Sequence, residues 1–253
     1  AWLERFGLKF SSGGAHVSRT MMLSELESLL AAVPRGAAIT DYRDAILQQN
    51  VLGKTTESTR QKSLRHLREL YALDHATPVF GILRTLHTRD PKSLPLLALQ
   101  VAWSRDPLFR ATSSAVLDAP EGDRVETSGL AAALETTFPR QYSDLNRNKI
   151  ARNAASSWTQ SGHLLGRARK TRQRIKPTPV AVTMALFLSG PQNVVLSVSI
   201  WQLWEGGRVG TAAAGAVMTV AITALLMLLI LKLTGGRVTS RLGVWARAPV
   251  NIK

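Results

Sequence analysis

Apolar residues recur at helical spacing over much of the chain. From His16 to Pro34 they fall mostly three or four positions apart, at Val17, Met21, Leu23, Leu26, Leu29 and Leu30. This spacing predicts one amphipathic helix that ends before Pro34. Similar patterns, bounded by Pro, Asp or Gly, predict further helices at 78–88, 92–104, 107–117 and 128–137. Because no stretch alternates convincingly in the way a half-buried strand does, the pattern predicts an all-α protein.

A helix-turn-helix-like element is predicted in the first third of the chain. Thr40-Asp41 offers an N-cap for a short helix that ends near Leu47, and residues 50–53 have the composition of a turn. A longer helix follows from Thr55 or Thr56. Its apolar stripe is Leu64, Leu67, Leu70 and Tyr71, and basic residues take many of the other positions. A short helix, a turn and a long basic helix form the outline of a common DNA-binding motif.

A long helix is predicted over residues 142–165. Its expected inner face is Leu145, Ile150, Ala154, Trp158 and Leu164, and its expected outer face is Arg147, Lys149 and Arg152. The segment Pro177-Thr178-Pro179 cannot easily continue a helix. A loop is expected at 121–123, between a first and a second helical group. A helical lobe with the helix-turn-helix-like element covers 12–120, and a basic helical lobe covers 124–189.

The end of the chain has a different pattern. Residues 209–231 carry no charge, and a helix of 23 residues is long enough to cross a ~30 Å hydrocarbon core. A transmembrane helix is therefore predicted within an apolar segment at 194–236, followed by a basic tail at 237–253. The tail is expected to stay cytoplasmic. If residues 180–204 insert as well, the two segments form a hairpin anchor; the alternatives are a membrane-surface helix and a gene-fusion or assembly artefact.

Positive charge is concentrated in one part of the chain. The net charge is +15; residues 1–139 carry 16 basic and 15 acidic side chains, whereas residues 140–176 carry 10 basic and 1 acidic. Such a one-sided block indicates binding to phosphate, on nucleic acid or on lipid head groups, and an ordinary basic surface is the alternative. The candidate contacts in this block are Arg147, Lys149, Arg152, Arg167, Arg169, Lys170, Arg172 and Arg174. Those at the start of the basic helix are Lys54, Thr55, Arg60 and Lys62, for which a well-capped surface helix is the alternative.

Motifs for catalysis or metal binding are missing from the sequence. The absence of cysteine excludes disulfides and thiolate sites. The five histidines never pair at metal-ligand spacing, so surface or locally satisfied histidines are expected. Gly53-Lys54-Thr55 resembles the end of a phosphate-binding loop, but residue 48 is Gln where that motif needs Gly. Gly-x-Ser-x-Gly is absent. We therefore expect no enzyme, no cofactor and no metal site.

Several short runs in residues 12–189 are similar to the BrxA family, accessory components of the BREX bacteriophage-exclusion systems. The runs are His16–Leu26, Asn50–Leu70, Leu94–Gln100, Asp106–Arg110, Asn148–Asn153 and Trp158–Gln160. The resemblance implies an all-helical, two-lobed protein without catalytic residues. It also implies that the protein binds double-stranded DNA in phage defence and has other defence-system proteins as partners.

The last part of the chain departs from that family. Residues 190–236, including Leu196–Arg208, resemble the C-terminal end of binding-protein-dependent ABC transporter permeases of the ferric-iron type. The alternative function is therefore an inner-membrane component, either a permease fragment or a membrane-anchored scaffold. A purely structural protein-protein module is a third possibility. If residues 209–231 bind the inner membrane, the protein is expected at its cytoplasmic face.

Overall fold

The computed structural model describes residues 2–188, and these are mostly helical, as predicted. The helices are α1 (Trp2–Phe6), α2 (Leu23–Ala32), α3 (Ile39–Leu47), α4 (Glu57–Tyr71), α5 (Pro78–Arg89), α6 (Leu94–Arg105), α7 (Pro107–Ala111), α8 (Ser113–Leu117), α9 (Thr127–Thr137), α10 (Asp144–Gln160) and α11 (Pro179–Leu188), with 3-10 turns at Ala15–Val17 and Pro91–Ser93. Two short strands are β1 (Leu164–Leu165) and β2 (Thr171–Arg172). No helix in this part of the chain is long and apolar enough to cross a bilayer. The segments predicted at 194–236 and 237–253, with the transmembrane helix at 209–231, lie outside the described residues.

The first amphipathic helix is shorter than predicted. It begins at Leu23, whereas His16 belongs to a separate 3-10 turn. The Tyr71 hydroxyl donates to the Met21 carbonyl (2.5 Å), and the Met21 amide donates to Ser157 Oγ (2.8 Å). Because these hydrogen bonds occupy backbone groups that a helix would use, the helix does not extend back to His16.

The other predicted helices are present within a few residues, with one interruption. The helix predicted at 107–117 is divided into α7 and α8 at Thr112. The Thr112 hydroxyl donates to the Phe109 carbonyl (2.7 Å) and accepts a hydrogen bond from Trp158 Nε1 (3.0 Å). A side chain that bonds both to its own turn and to α10 fixes the chain at the break.

The helix-turn-helix-like element consists of α3 and α4, which pack against each other. Thr56 is the N-cap of α4 and accepts a hydrogen bond from the Thr59 amide (3.2 Å), which confirms the predicted start. In α3, Asp41 lies inside the first turn and accepts from the Ala38 amide (2.7 Å), so the predicted N-cap at Thr40-Asp41 was wrong. Residues 48–56 connect the two helices, which is longer than the three- or four-residue turn of the standard motif.

The long helix predicted over residues 142–165 ends at Gln160, and a β-hairpin follows it. The strands pair antiparallel, with Leu164 opposite Arg172, and this small hairpin is an addition to the predicted all-α structure. Strands of two residues are too short to show alternation in the sequence. Ile150, Ala154, Trp158 and Leu164 are buried as predicted, but Leu145 is 77% exposed. The buried stripe on α10 repeats every four residues, and Leu145 is not in that register.

Helices on both sides of the loop at 121–123 contribute to the same core. In particular, α10 packs against α9, against α6 and against the 3-10 turn at Ala15–Val17. The predicted lobes, 12–120 and 124–189, share this packing, and a boundary between them stays a prediction.

Candidate nucleic-acid interface

A buried polar junction of His16, Asp106 and Ser157 joins α10, which carries some of the predicted phosphate contacts, to α7 and to the 3-10 turn at Ala15–Val17. The Nδ1 atom of His16 lies 2.8 Å from Asp106 Oδ2, and its Nε2 atom lies 2.8 Å from Ser157 Oγ. All three residues are at most 1% exposed. Sequence analysis missed this junction because its members lie far apart in the chain, and it expected only surface or locally satisfied histidines.

Backbone amides, as well as His16, hold the Asp106 carboxylate. Its Oδ1 atom accepts from the amides of Leu108 (3.0 Å) and Phe109 (3.1 Å), which caps α7. Burial alone would raise the pKa of Asp106, but the charge and the hydrogen bonds of His16, with the backbone donors, lower it below its usual range. The ion pair and the cap therefore stabilise the charged carboxylate inside the protein.

Serine, histidine and aspartate are also the residue types of a hydrolase triad, but the geometry here serves packing. Ser157 Oγ accepts from the Met21 amide and donates to the Asn153 carbonyl (3.0 Å), in addition to its contact with His16. A buried serine oxygen with all these partners has no open side for a substrate carbonyl. The junction positions α7, α10 and residues 15–21 relative to one another.

Residues from several segments that are distant in the sequence meet at this junction. The His16 ring stacks on Phe109, with ring centroids 4.4 Å apart and an interplanar angle of 4°, and Phe109 contacts Trp158 at 5.0 Å. The Asn153 side chain donates to the His16 carbonyl (2.9 Å). Packing thus accounts for these residues, without a functional role for each of them.

On α4, the predicted contacts differ in how available they are. Thr55 and Lys62 are exposed. Lys54, in contrast, is partly buried and forms an ion pair with Glu25 (Nζ to Oε1, 2.9 Å), so it is less available than Lys62, and its role as a DNA contact stays a prediction. Arg60 is partly buried as well, and its Nε atom has no hydrogen-bond partner among the described residues.

On α10, Lys149 and Arg152 are exposed, whereas Arg147 is engaged. The Arg147 guanidinium pairs with both Glu135 and Asp144, and its side chain is only 20% exposed. The packing of α9 on α10 brings Glu135 to Arg147. Arg147 is therefore not on the exposed face where it was expected, and its role as a phosphate contact stays a prediction.

The last part of the basic block, residues 167–176, forms the turn and second strand of the β-hairpin and the chain after it. Its basic residues also differ in how available they are. Arg167, Arg169 and Arg174 are exposed. The Lys170 ammonium donates to Thr159 Oγ1 (2.7 Å), and burial lowers its pKa. Arg172 is partly buried and donates to backbone carbonyls of the hairpin. Lys170 attaches the hairpin to α10, Arg172 bonds within the hairpin, and the three exposed arginines remain available.

Residues 16–20 lie between α4 and α10. On one side, Ser18 Oγ is 3.3 Å from His66 Nε2 of α4, and on the other the Gln160 amide of α10 donates to Thr20 Oγ1 (3.3 Å). Burial, then the charge of Arg65, and to a smaller extent that of Arg19, lower the pKa of His66. The basic helix, the bridging segment, α10 and the hairpin are thus linked by direct contacts.

No protein-family model matches the chain, and no curated protein matches it. Within residues 2–188, no cluster of three or more His, Asp or Glu side chains could hold a metal ion.

Proposed function

We propose that the chain binds double-stranded DNA through backbone phosphates, as a non-catalytic accessory protein of a BREX-type anti-phage system. One observation supports this most strongly: six of the predicted basic contacts are exposed and make no ion pair with any described carboxylate. These are Lys62, Lys149, Arg152, Arg167, Arg169 and Arg174. Cations that the protein leaves unpaired can neutralise phosphates and release the counterions condensed on DNA.

The direct contacts between α4, residues 16–20, α10 and the hairpin support a shared binding surface. In this proposal, α10 and the hairpin contact phosphates, while Thr55, just before α4, and Lys62, on α4, contact the duplex. Phosphate contacts position a protein on DNA but carry no sequence information. Binding is therefore expected to be strong at low salt and weakly sequence-specific.

Charge reversal of the hairpin tests the proposal. The full chain, purified in a non-ionic detergent, carries R167E, R169E and R174E together, and duplex affinity is measured by fluorescence polarisation. We expect at least a tenfold loss of affinity and a shallower salt dependence. A matched control changes the exposed Arg43, Arg89 and Lys92 to Glu, with the same change in net charge. Equal losses in both variants, or none in the first, would reject the hairpin as the DNA contact.

A second candidate function is attachment to the inner membrane, for which the uncharged run at 209–231 is the supporting observation. Flotation of the full chain with phosphatidylglycerol vesicles, in the presence and absence of competing duplex DNA, separates the two. If duplex DNA does not reduce flotation, the protein attaches to the vesicles through the apolar run. Flotation that DNA abolishes indicates that lipid and DNA compete for the basic surface. The other defence-system proteins stay proposed partners, to be sought by co-purification.

A further inference from the structure

A groove of about 660 Å³ lies beside α4, next to the N-terminal segment. Its volume is in the range of small-molecule sites. Five basic and three acidic side chains line it, together with apolar side chains such as Ile39 and Leu64. The basic ones are Arg5, Lys9, Arg65, Arg68 and Arg105, none of which belongs to the DNA contacts proposed above.

Lys9 is held in place at this groove. Its amide donates to the Ser104 carbonyl (3.1 Å), and its carbonyl accepts from Arg110 Nη2 (2.9 Å). Gly7 lets the segment approach α5, since its φ is +108° and a Cβ there would lie 2.6 Å from the Thr77 methyl carbon. The backbone therefore fixes where the Lys9 side chain begins.

Lys9 is partly buried, and its ammonium has no partner among the described residues. It makes no hydrogen bond and no ion pair with any described residue. Burial, and after it the charge of Arg105, lower the pKa of Lys9. A bound anion would stabilise the charged ammonium of Lys9 and so offset the cost of its desolvation.

Arg105 shields the end of α4 that would otherwise repel an anion. Its guanidinium donates to the carbonyls of Glu69 (3.2 Å) and Arg68 (3.3 Å), near the C-terminus of α4, and to the Gly7 carbonyl. These carbonyls carry the negative end of the helix dipole. Of the acidic lining residues, Asp74 accepts a hydrogen bond from the Ala76 amide (3.0 Å).

We propose that this groove binds a phosphate ester. Lys9, Arg65 and Arg68 hold the phosphate, and Ile39 and Leu64 contact the apolar part of the ligand. The ester is either a free nucleotide or the backbone of DNA, and the experiment separates these two sources.

Titration calorimetry of the full chain with ADP and with pyrophosphate tests the groove, and fluorescence polarisation with duplex DNA runs in parallel. The variants are K9M, which keeps the apolar stem, and R68Q. The control is K176Q, which removes an exposed charge after the hairpin. We expect at least tenfold weaker ADP binding for K9M and R68Q, and unchanged binding for K176Q. Thermal unfolding verifies that each variant remains folded.

The pattern of losses identifies the ligand. Weaker binding of ADP with unchanged duplex affinity assigns the groove to a free nucleotide, and weaker duplex binding in K9M assigns it to the DNA backbone. The hairpin variant R167E/R169E/R174E should retain ADP binding. The proposal for the groove and the proposal for the DNA surface can therefore be rejected independently. If folded K9M and R68Q bind ADP, pyrophosphate and duplex as wild type does, the groove is not a phosphate site.

Discussion

The His16 junction and the basic hairpin hold polar groups under opposite conditions. At the junction, His16, Asp106 and Ser157 are buried and each has several partners. On the hairpin, Arg167 and Arg169 are exposed and have no carboxylate partner among the described residues. Burial makes an unpaired polar group costly, whereas exposure lets a cation remain unpaired until a ligand arrives. The junction should therefore determine stability, and the hairpin should determine binding.

Asp106→Asn should have the largest effect on stability. The substitution keeps the shape of the side chain but removes the charge that pairs with His16 and caps α7. Breaking one side of a buried ion pair typically costs about 3–5 kcal/mol. Urea unfolding measures the loss, with the exposed Asp118→Asn as control. Similar unfolding free energies for the two variants would mean that the junction is not the stabilising centre.

Adjacent serines on α10 give a sharper version of the same comparison. Ser157→Ala leaves the buried Met21 amide without its partner, at a cost of roughly 1–3 kcal/mol. Ser156→Ala removes only a bond from an exposed hydroxyl to the Arg152 carbonyl, and little change is expected. Chemical unfolding of both variants decides the point. A larger loss at Ser156 would contradict the assignment.

The stability of the folded protein should also fall in mild acid through His163. Burial, and then the charge of Arg172, lower the pKa of His163 to about 4. The unfolded chain takes up a proton there near pH 6.5, so stability is full above that pH and is lost as the pH falls toward 4. After allowance for partial exposure, this contributes roughly 1–2 kcal/mol.

His163→Gln isolates the contribution of His163 to the pH dependence of stability. His66 and His87, whose pKa values are also lowered, remain in the variant. Unfolding free energies at pH 7 and pH 4.5 should differ less in the variant than in the wild type. An unchanged pH dependence would show that His163 does not contribute.

The smallest expected effects distinguish two arginines on one helix. Arg152→Gln should remove one phosphate contact and reduce the magnitude of the salt slope of DNA binding by about 0.9. Arg147→Gln should leave the slope unchanged and cost up to about 1 kcal/mol of stability, because its charge is paired with Glu135 and Asp144. Binding at several salt concentrations and urea unfolding measure the two effects. Reversed results would mean that Arg147, despite its ion pairs, contacts DNA.

Local signals in the sequence predicted much of the helical structure. Thr56 as the N-cap of α4, and the buried stripe from Ile150 to Trp158, follow from capping chemistry and periodicity. The Asp144–Arg147 ion pair could also have been predicted from the sequence, because residues three apart on a helix are neighbours. Lys54 with Glu25, and His16 with Asp106, could not be predicted, because packing between distant segments brings them together.

The availability of a cation thus depends on tertiary contacts that its own neighbours in the sequence do not show. Arg152 and Arg147 have the same side chain on the same helix, but Arg147 pairs with Asp144 on α10 and, through the packing of α9, with Glu135. A basic block in a sequence therefore indicates an upper limit to the number of phosphate contacts.

The most direct test of the central claim is the salt dependence of duplex binding by the wild-type full chain. With several exposed cations on phosphates, log K should fall linearly with log salt at a slope of roughly −3 to −5, since each contact contributes about −0.9. Affinity that does not change between low and physiological salt, or binding to anionic vesicles but not to duplex, would contradict the account.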